Sequence, residues 1–415
     1  MNIPEQFDLL PQVSKWLLLA TLVAILAGSA SALFLVSLDW ATATRDAHRW
    51  LIWLLPVAGF VVGWVYLKFG QSVEGGNNLL LDEIHDPKRT IPLRMAPLIL
   101  VATVISHLFG ASVGREGTAV QMGGALADQL TKLFKLSPHD RRLLLMAGIS
   151  AGFASVFGTP LAGAVFGLEV LMVGRMRYDA LLPCFVAAIV ADQVTRLWGV
   201  QHAHYAIGLV PGLTVWTLIA VMLAGIIFGL IGMLFAQSTH ILSARVKTWI
   251  SHAPLRPAIG GVVLAAVVWF GDGWRYIGLG LTPMAESFQQ AVPAWDFAGK
   301  MLSTIWSLGF GFKGGEVTPL FFIGSTLGNA LAPLLHQPIG FMAALGFVAV
   351  FAGAANTPLA CTLMAMELFG APIGLFAALA CVISYLFSGH TGIYKAQRLG
   401  QAKRHQPPQD TQRGA

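Results

Sequence analysis

Six segments of the chain, Trp16–Leu38, Leu51–Leu67, Leu143–Leu168, Ile207–Ala236, Pro338–Met366 and Leu368–Tyr394, contain no Asp, Glu, Lys or Arg. A helix needs about 20 such residues to cross the hydrocarbon core of a bilayer, so the pattern predicts a protein that crosses it many times. Only 11% of the 415 residues are charged and 56% are hydrophobic, whereas soluble domains carry roughly a quarter charged residues. A soluble fold could not hide that much apolar surface. The first run is longer than the apolar stretch of a signal peptide and leads into further apolar segments, so it is expected to be retained.

The net charge of +6 is concentrated between the apolar runs and in the tail: Lys88, Arg89 and Arg94; Arg141 and Arg142; Arg175 and Arg177; Arg245 and Lys247; then Lys395, Arg398, Lys403, Arg404 and Arg413. Basic loops mark cytoplasmic faces, which places the carboxy terminus in the cytoplasm. The basic stretches lack interleaved aromatics, so no nucleic acid is expected as a partner. Cys184, Cys361 and Cys381 lie in apolar segments without CxxC spacing and imply neither a disulfide framework nor a metal site. A phosphate-binding GxxxxGK[ST] loop is absent, and no cofactor is expected.

Sliding the chain against itself by about 200 residues exposes an internal repeat. Gly114-Arg115-Glu116-Gly117-Thr118 aligns with Gly314-Gly315-Glu316-Val317-Thr318, and Gly148–Glu169 aligns with Gly346–Glu367, both ending in Thr-Pro-Leu-Ala and a final Glu. Two matches in one order at nearly one offset predict two related membrane halves, residues 1–237 and 258–395, joined by a loop over 238–257. Residues 396–415 read as a basic cytoplasmic tail, expected to be disordered.

In secondary transporters, Gly- and Pro-interrupted segments at corresponding places in two repeats point to the binding site. Five interruptions occur here: Gly75–Asn78, Gly114–Thr118, Gly158–Pro160, Lys313–Pro319 and Asn356–Pro358. Each precedes an apolar run that reads as a new helix, with Thr159 and Thr357 as caps before prolines. A helix start at membrane depth offers unpaired N–H groups and a partial positive charge, which suits an anion that has shed its water. Irregular backbone survives there only inside protein or beside a wet cavity, so the five breaks are expected to converge. Arg115 and Lys313 would either add positive potential near the breaks or pair with neighbouring carboxylates.

The segment Gly114-Arg115-Glu116-Gly117-Thr118-Ala119-Val120-Gln121-Met122-Gly123-Gly124 resembles the signature of the CLC family of chloride channels and proton-coupled exchangers, with Thr118 where proline is usual. Thr159-Pro160-Leu161-Ala162-Gly163 followed by Phe166 and Glu169, Gly314–Pro319 followed by Ile323-Gly324, and Thr357-Pro358-Leu359 resemble later segments of the same family, in family order. The resemblance implies an all-α polytopic membrane protein with two inverted-topology repeats and many tilted, broken helices. It also implies a homodimer with one pathway in each subunit, lying in a bacterial-type cytoplasmic (inner) membrane.

Glu116 matches the family's gating and proton-coupling glutamate. A carboxylate beside helix starts can occupy the anion's own site when ionised and must leave when protonated or displaced. Gly76, Asn77, Gly114, Arg115, Gly117, Glu316, Val317, Thr318 and Tyr394 are the expected anion-binding residues, Asn77 standing where a serine is usual and Tyr394 matching an anion-coordinating hydroxyl. Asn77 and Asn78 also suit a plain helix cap, and Tyr394 also suits an interfacial belt. Glu316-Val317-Thr318 in place of apolar residues resembles the fluoride/proton exchangers, since fluoride demands dense hydrogen-bond donation. Glu316 would hold a donor, carry a proton or pair with Lys313.

Glu169 is followed by Val170 where many proton-coupled chloride members have a second acid, so the expected inner proton acceptor is missing; Glu169 and its equivalent Glu367 read as structural. His107 reads as hydrogen-bonded structure and His202 as no ligand, so no metal is assigned. The implied function is export of fluoride in exchange for protons. The alternative is a chloride/proton antiporter or a passive chloride channel of the same fold. A protease reading fails: HExxH is absent, and the two GxSxG matches, at Gly110–Gly114 and Gly148–Gly152, fall in apolar helical runs.

Overall fold

The computed structural model describes residues 9–203 and 205–403. Sixteen α-helices occur among them. The first eight are α1 (Leu10–Ala47), α2 (Leu55–Phe69), α3 (Asn77–His85), α4 (Met95–Leu108), α5 (Glu116–Leu133), α6 (Pro138–Phe157), α7 (Pro160–Glu169) and α8 (Leu181–Leu197). The second eight are α9 (Val215–Trp249), α10 (Leu255–Phe270), α11 (Leu281–Glu286), α12 (Asp296–Gly309), α13 (Val317–Leu331), α14 (Ile339–Ala355), α15 (Pro358–Phe369) and α16 (Gly374–Phe387). The only strands among the described residues are β1 (Met172–Val173) and β2 (Arg398–Leu399), paired in parallel.

Each helix has a counterpart eight places later. The longest, α1 with 38 residues and α9 with 35, open the two sets, and α5 packs on α6 as α13 packs on α14. The sets meet through equivalent partners, α2 against α10 and α7 against α15. The helix bounds correct one expected boundary. Residues 238–249 are the end of α9, not a loop, so the connection there shrinks to residues 250–254. The repeat was visible only around its glycine motifs, and the polar last turns of α9, with Arg245 and Lys247, read in sequence as a loop.

Among the described residues four segments are long and apolar enough to cross a membrane, Leu10–Ala47, Arg49–Phe69, Tyr178–Leu197 and Val215–Trp249, and seven apolar helices are shorter, at 10–17 residues. That mixture is what broken spans produce. At 1.5 Å per residue α1 is roughly 57 Å long, well beyond a hydrocarbon core of about 30 Å, so it crosses at a tilt or protrudes.

Glycine sets how closely the central helices approach. A Cβ on Gly123 would lie 2.3 Å from the carbonyl oxygen of Gly148, and one on Gly324 would lie 2.0 Å from that of Gly346. The repeat-related pairs α5/α6 and α13/α14 are thus in backbone contact, the small-residue packing that serves where apolar burial gives helices no reason to associate. Beside them lies a run of phenylalanines: Phe153 stacks on Phe166 at 4.2 Å and Phe321 on Phe347 at 4.0 Å. The core places the starts of α5 and α13 side by side.

The tail also departs from expectation. Residues 396–403 are docked on the body of the protein, β2 against β1, and only 404–415 lie outside the described residues.

Candidate functional site

The glycine loops that precede α5 and α13 meet in an antiparallel bridge. Gly114 N–H donates to Gly315 O at 2.6 Å, and Gly315 N–H donates to Gly114 O at 2.8 Å. A Cβ on Gly114 would come within 2.8 Å of Pro319 Cδ and 3.0 Å of Gly315 O, so the crossing requires glycine. Two residues beyond Gly114, Glu116 starts α5 with a side chain that has no exposure.

The Glu116 carboxylate is held from both halves. The Thr318 hydroxyl donates to Oε1, the Thr318 backbone N–H donates to Oε2 at 3.0 Å, and the Arg115 backbone N–H donates to Oε2 at 3.1 Å. The Arg115 guanidinium completes an ion pair at 3.5 Å. Arg115 therefore adds positive potential and pairs with a carboxylate at once. Val317, buried beside it, contributes the first turn of α13. Thr118, on the next positions of α5, exchanges a 2.7 Å hydrogen bond with Thr103 of α4.

A third helix start arrives from α3. Gly76 has φ +57°, a left-handed turn that glycine takes without strain, and it ends with Asn77 as the first helical residue. A Cβ on Gly117 would lie 3.0 Å from Asn77 Nδ2 and 3.1 Å from Gly315 Cα, so the absence of a side chain lets three elements close on one point. Neither asparagine makes a side-chain helix cap. Asn77 Oδ1 is buried with no hydrogen-bond partner among the described residues, and Asn78 Oδ1 accepts from Ala396 N–H at 2.9 Å, tying down the chain just after Tyr394.

Tyr394 is buried rather than interfacial and stands edge-on to Phe166 at 6.4 Å. Its hydroxyl makes no hydrogen bond among the described residues. Together with Gly76, Asn77 and Glu316 it lines a vestibule of about 520 Å³, whose walls also carry Lys247, Lys313, Lys395 and Glu74. Glu316 forms no ion pair among the described residues: Lys313 instead lies over the Tyr66 ring at 4.1 Å, so the expected alternative of a Glu316–Lys313 pair is not formed.

Arg115 and Thr318 also line a separate pocket of about 20 Å³ with Phe157, Phe321 and Tyr205. Arg115 and Thr318, which line this pocket, hold the fully buried Glu116 carboxylate, and Glu316, two residues before Thr318, lines the vestibule.

Two of the five breaks do not join this point. The starts of α7 and α15 are capped by carboxylates from each other's ends: Glu367 accepts from Leu161 and Ala162 N–H, both at 2.8 Å, and Glu169 accepts from Leu359 and Ala360 N–H at 3.1 and 2.9 Å. Thr159 and Thr357 make no side-chain cap. The Thr-Pro starts are thus filled by protein acids, and three breaks converge rather than five. His107 is buried, with Nδ1 2.8 Å from Thr103 O, and His202 Nε2 is 2.9 Å from Ser155 O.

Sequence reasoning missed Tyr205, which lies between the repeats outside any motif, and Thr103, whose partner Thr118 was noted only as a departure from proline. It also missed His240, which lines the vestibule and lies 2.9 Å from Gly392 O, because a lone histidine in an apolar helix carries no signal.

A family model described as voltage gated chloride channel matches residues 58–389. A protein of Pseudomonas syringae pv. tomato named chloride/fluoride channel protein is 66% identical over 410 residues, 97% of this chain and 91% of that one. The H(+)/Cl(-) exchange transporter ClcA of Cronobacter sakazakii is 28% identical over 388 residues, 85% of this chain and 81% of that one. Among solved structures, a CLC-type fluoride/proton antiporter superposes with a TM-score of 0.91 at 34% identity, covering 94% of this chain and 99% of the other. The motifs in family order, the paired glycine loops around a buried glutamate and these matches lead to one assignment: the chain is a membrane protein of the CLC family, with the CLC fold of two repeats.

Proposed function

We propose that the protein exports fluoride from the cytoplasm in exchange for external protons, as a homodimer with one pathway in each subunit. The observation that carries this reading is the Glu116 carboxylate held by Thr318 Oγ1, Thr318 N–H and Arg115 N–H. Those donors suit a small anion as well as they suit a carboxylate, so Glu116 and the permeating ion compete for one place. A protonated Glu116 loses its charge, gives up the place and carries its proton with it.

Fluoride accepts hydrogen bonds strongly and leaves water only for dense donation, which Thr318, Asn77 and Tyr394 supply along the path. The unpaired Glu316 on the vestibule wall would relay the proton inward, in the role left open by Val170. The CLC-type fluoride/proton antiporter structure supports fluoride and proton coupling. The lysine-lined vestibule supports a cytoplasmic face on that side, with the carboxy terminus on the same side and the protein in a bacterial inner membrane.

A second reading, a chloride/proton exchanger or passive channel, is favoured by the printed name of the Pseudomonas syringae relative, which gives chloride and fluoride together with channel. Liposomes separate the three: fluoride and chloride efflux are recorded together with external pH. Exchange predicts fluoride efflux accompanied by proton uptake, and Glu116→Gln abolishes the proton signal. Proton movement that persists in Glu116→Gln removes that residue from the mechanism.

A further inference from the structure

Among the described residues Tyr394 has no hydrogen bond of its own to fix its hydroxyl, so its place is set by the chain that carries it. That chain, residues 388–403, leaves the end of α16, passes Tyr394 and returns to where it began. On the way, Ile393 N–H donates to Ala354 O at 2.8 Å, and Gln397 Nε2 donates to Val170 O at 3.0 Å and Ala355 O at 3.1 Å. Asn356 Nδ2 donates to Gln397 Oε1 at 2.9 Å, and β2 lies along β1.

The return is closed by one side chain. Lys403 Nζ donates to Tyr385 O at 2.5 Å, Asn356 Oδ1 at 2.6 Å, Ser388 Oγ at 3.0 Å and Gly389 O, and lies 4.0 Å from the centre of the Tyr385 ring. Carbonyls at a helix C-terminus lack intrahelical partners and carry partial negative charge, so an ammonium there satisfies them and complements the dipole. Lys403 has no carboxylate partner among the described residues, and it lines neither the vestibule nor the smaller pocket beside Arg115 and Thr318. Its contacts serve only to fasten the loop.

We propose that Lys403 is a positioning residue for anion transport, fastening the 388–403 loop to the end of α16 so that the Tyr394 hydroxyl stands at the inner end of the pathway. The inference rests on the reading that Tyr394 donates to the anion.

The test uses full-length Lys403→Met, Tyr394→Phe and the double variant, reconstituted in liposomes, with fluoride efflux measured against fluoride concentration. In parallel, trypsin cleavage after Lys395 and Arg398 is followed by mass spectrometry on purified protein, which reads loop docking without reference to transport. Lys403→Met is expected to speed that cleavage about tenfold or more, because unfastening exposes the local backbone. It is expected to raise the half-saturating fluoride concentration about fivefold, part of the loss when one donor to a charged ligand goes, with little change in maximal rate.

The double variant is expected to match Tyr394→Phe, since Lys403 acts through that hydroxyl. If Tyr394→Phe raises the half-saturating concentration and Lys403→Met does not, or if their effects add, the fastening role is refuted while the anion role of Tyr394 stands. If Tyr394→Phe is itself silent, the anion-site reading fails and the inference fails with it. Should Lys403→Met not yield monodisperse protein, Ser388→Ala removes one acceptor and leaves the lysine. It is expected to shift both readouts the same way by about twofold, and no shift in either refutes the proposal.

Discussion

Replacing Thr318 by valine tests the shared-donor idea at its narrowest point. The side chain is 2% exposed and nearly the same shape as valine, so the change removes one O–H and little else. Of the three hydrogen bonds that reach the Glu116 carboxylate, from Thr318 Oγ1, Thr318 N and Arg115 N, two remain, together with the 3.5 Å pairing to the Arg115 guanidinium. A hydrogen bond to a charged group is worth about 1.5–3 kcal/mol, and 1.4 kcal/mol is a factor of ten, so the carboxylate's hold on the site weakens by roughly ten- to a hundredfold.

In the proposed function the same hydroxyl serves the anion in turn, and an ion that depends most on hydrogen bonding would lose most. Thr318→Val should therefore lower the ratio of fluoride to chloride efflux by about tenfold and also reduce the protons moved per fluoride, while Thr318→Ser retains both. Paired fluoride, chloride and pH electrodes on proteoliposomes give both ratios in one trace. If Thr318→Val leaves the two ratios within about twofold of wild type, the hydroxyl is not a shared donor and the competition argument loses its basis.

Two further outcomes concern stability. Glu169→Ala or Glu367→Ala each strips two N–H groups at a helix start of their acceptors, which should cost about 1–3 kcal/mol per orphaned group and lower the melting temperature in detergent, with the glutamine variants losing less; an unchanged melt for either alanine variant would show those caps to be idle. Gly324→Ala would push a methyl to 2.0 Å from Gly346 O and force α13 from α14, costing about 1–3 kcal/mol or more, whereas Gly212→Ala, where no atom lies within 4 Å of the added carbon, should be neutral; equal melting of the two would contradict the close packing.

The features legible in the sequence are those where chemistry and backbone geometry make the same demand. Gly114 and Gly315 cannot bear side chains because the loops cross there, and Glu116 is an acid at membrane depth; both facts leave a mark in the string of residues. The convergence of α3, α5 and α13 followed from those marks. The Thr-Pro starts of α7 and α15 left the same marks, yet they are filled by Glu367 and Glu169 from the other half. A helix start looks alike in sequence whether it greets an ion or a distant carboxylate, and only the fold tells which.

The expected loop over 238–257 began too early because the last turns of α9, Gln237–Trp249, are polar and basic, with Arg245 and Lys247, and read as a loop in sequence although the helix continues through them. The docking of residues 396–403 was hidden for a different reason. Lys403 reads as one more basic residue in a basic tail, and its acceptors are mostly main-chain or small polar groups that carry no pattern.

The reciprocal bridge between Gly114 and Gly315 limits how such a transporter can work. Were one half to tilt against the other, both contacts would part and leave their N–H and C=O groups stranded away from water, at roughly 1–3 kcal/mol for each. A rotation of the Glu116 side chain about its own bonds disturbs neither contact. The inward and outward phases of the cycle would then differ by the pose of a few side chains around a stationary backbone bearing. Cross-linking the two loops covalently should accordingly leave turnover intact, in contrast to transporters whose halves must rock.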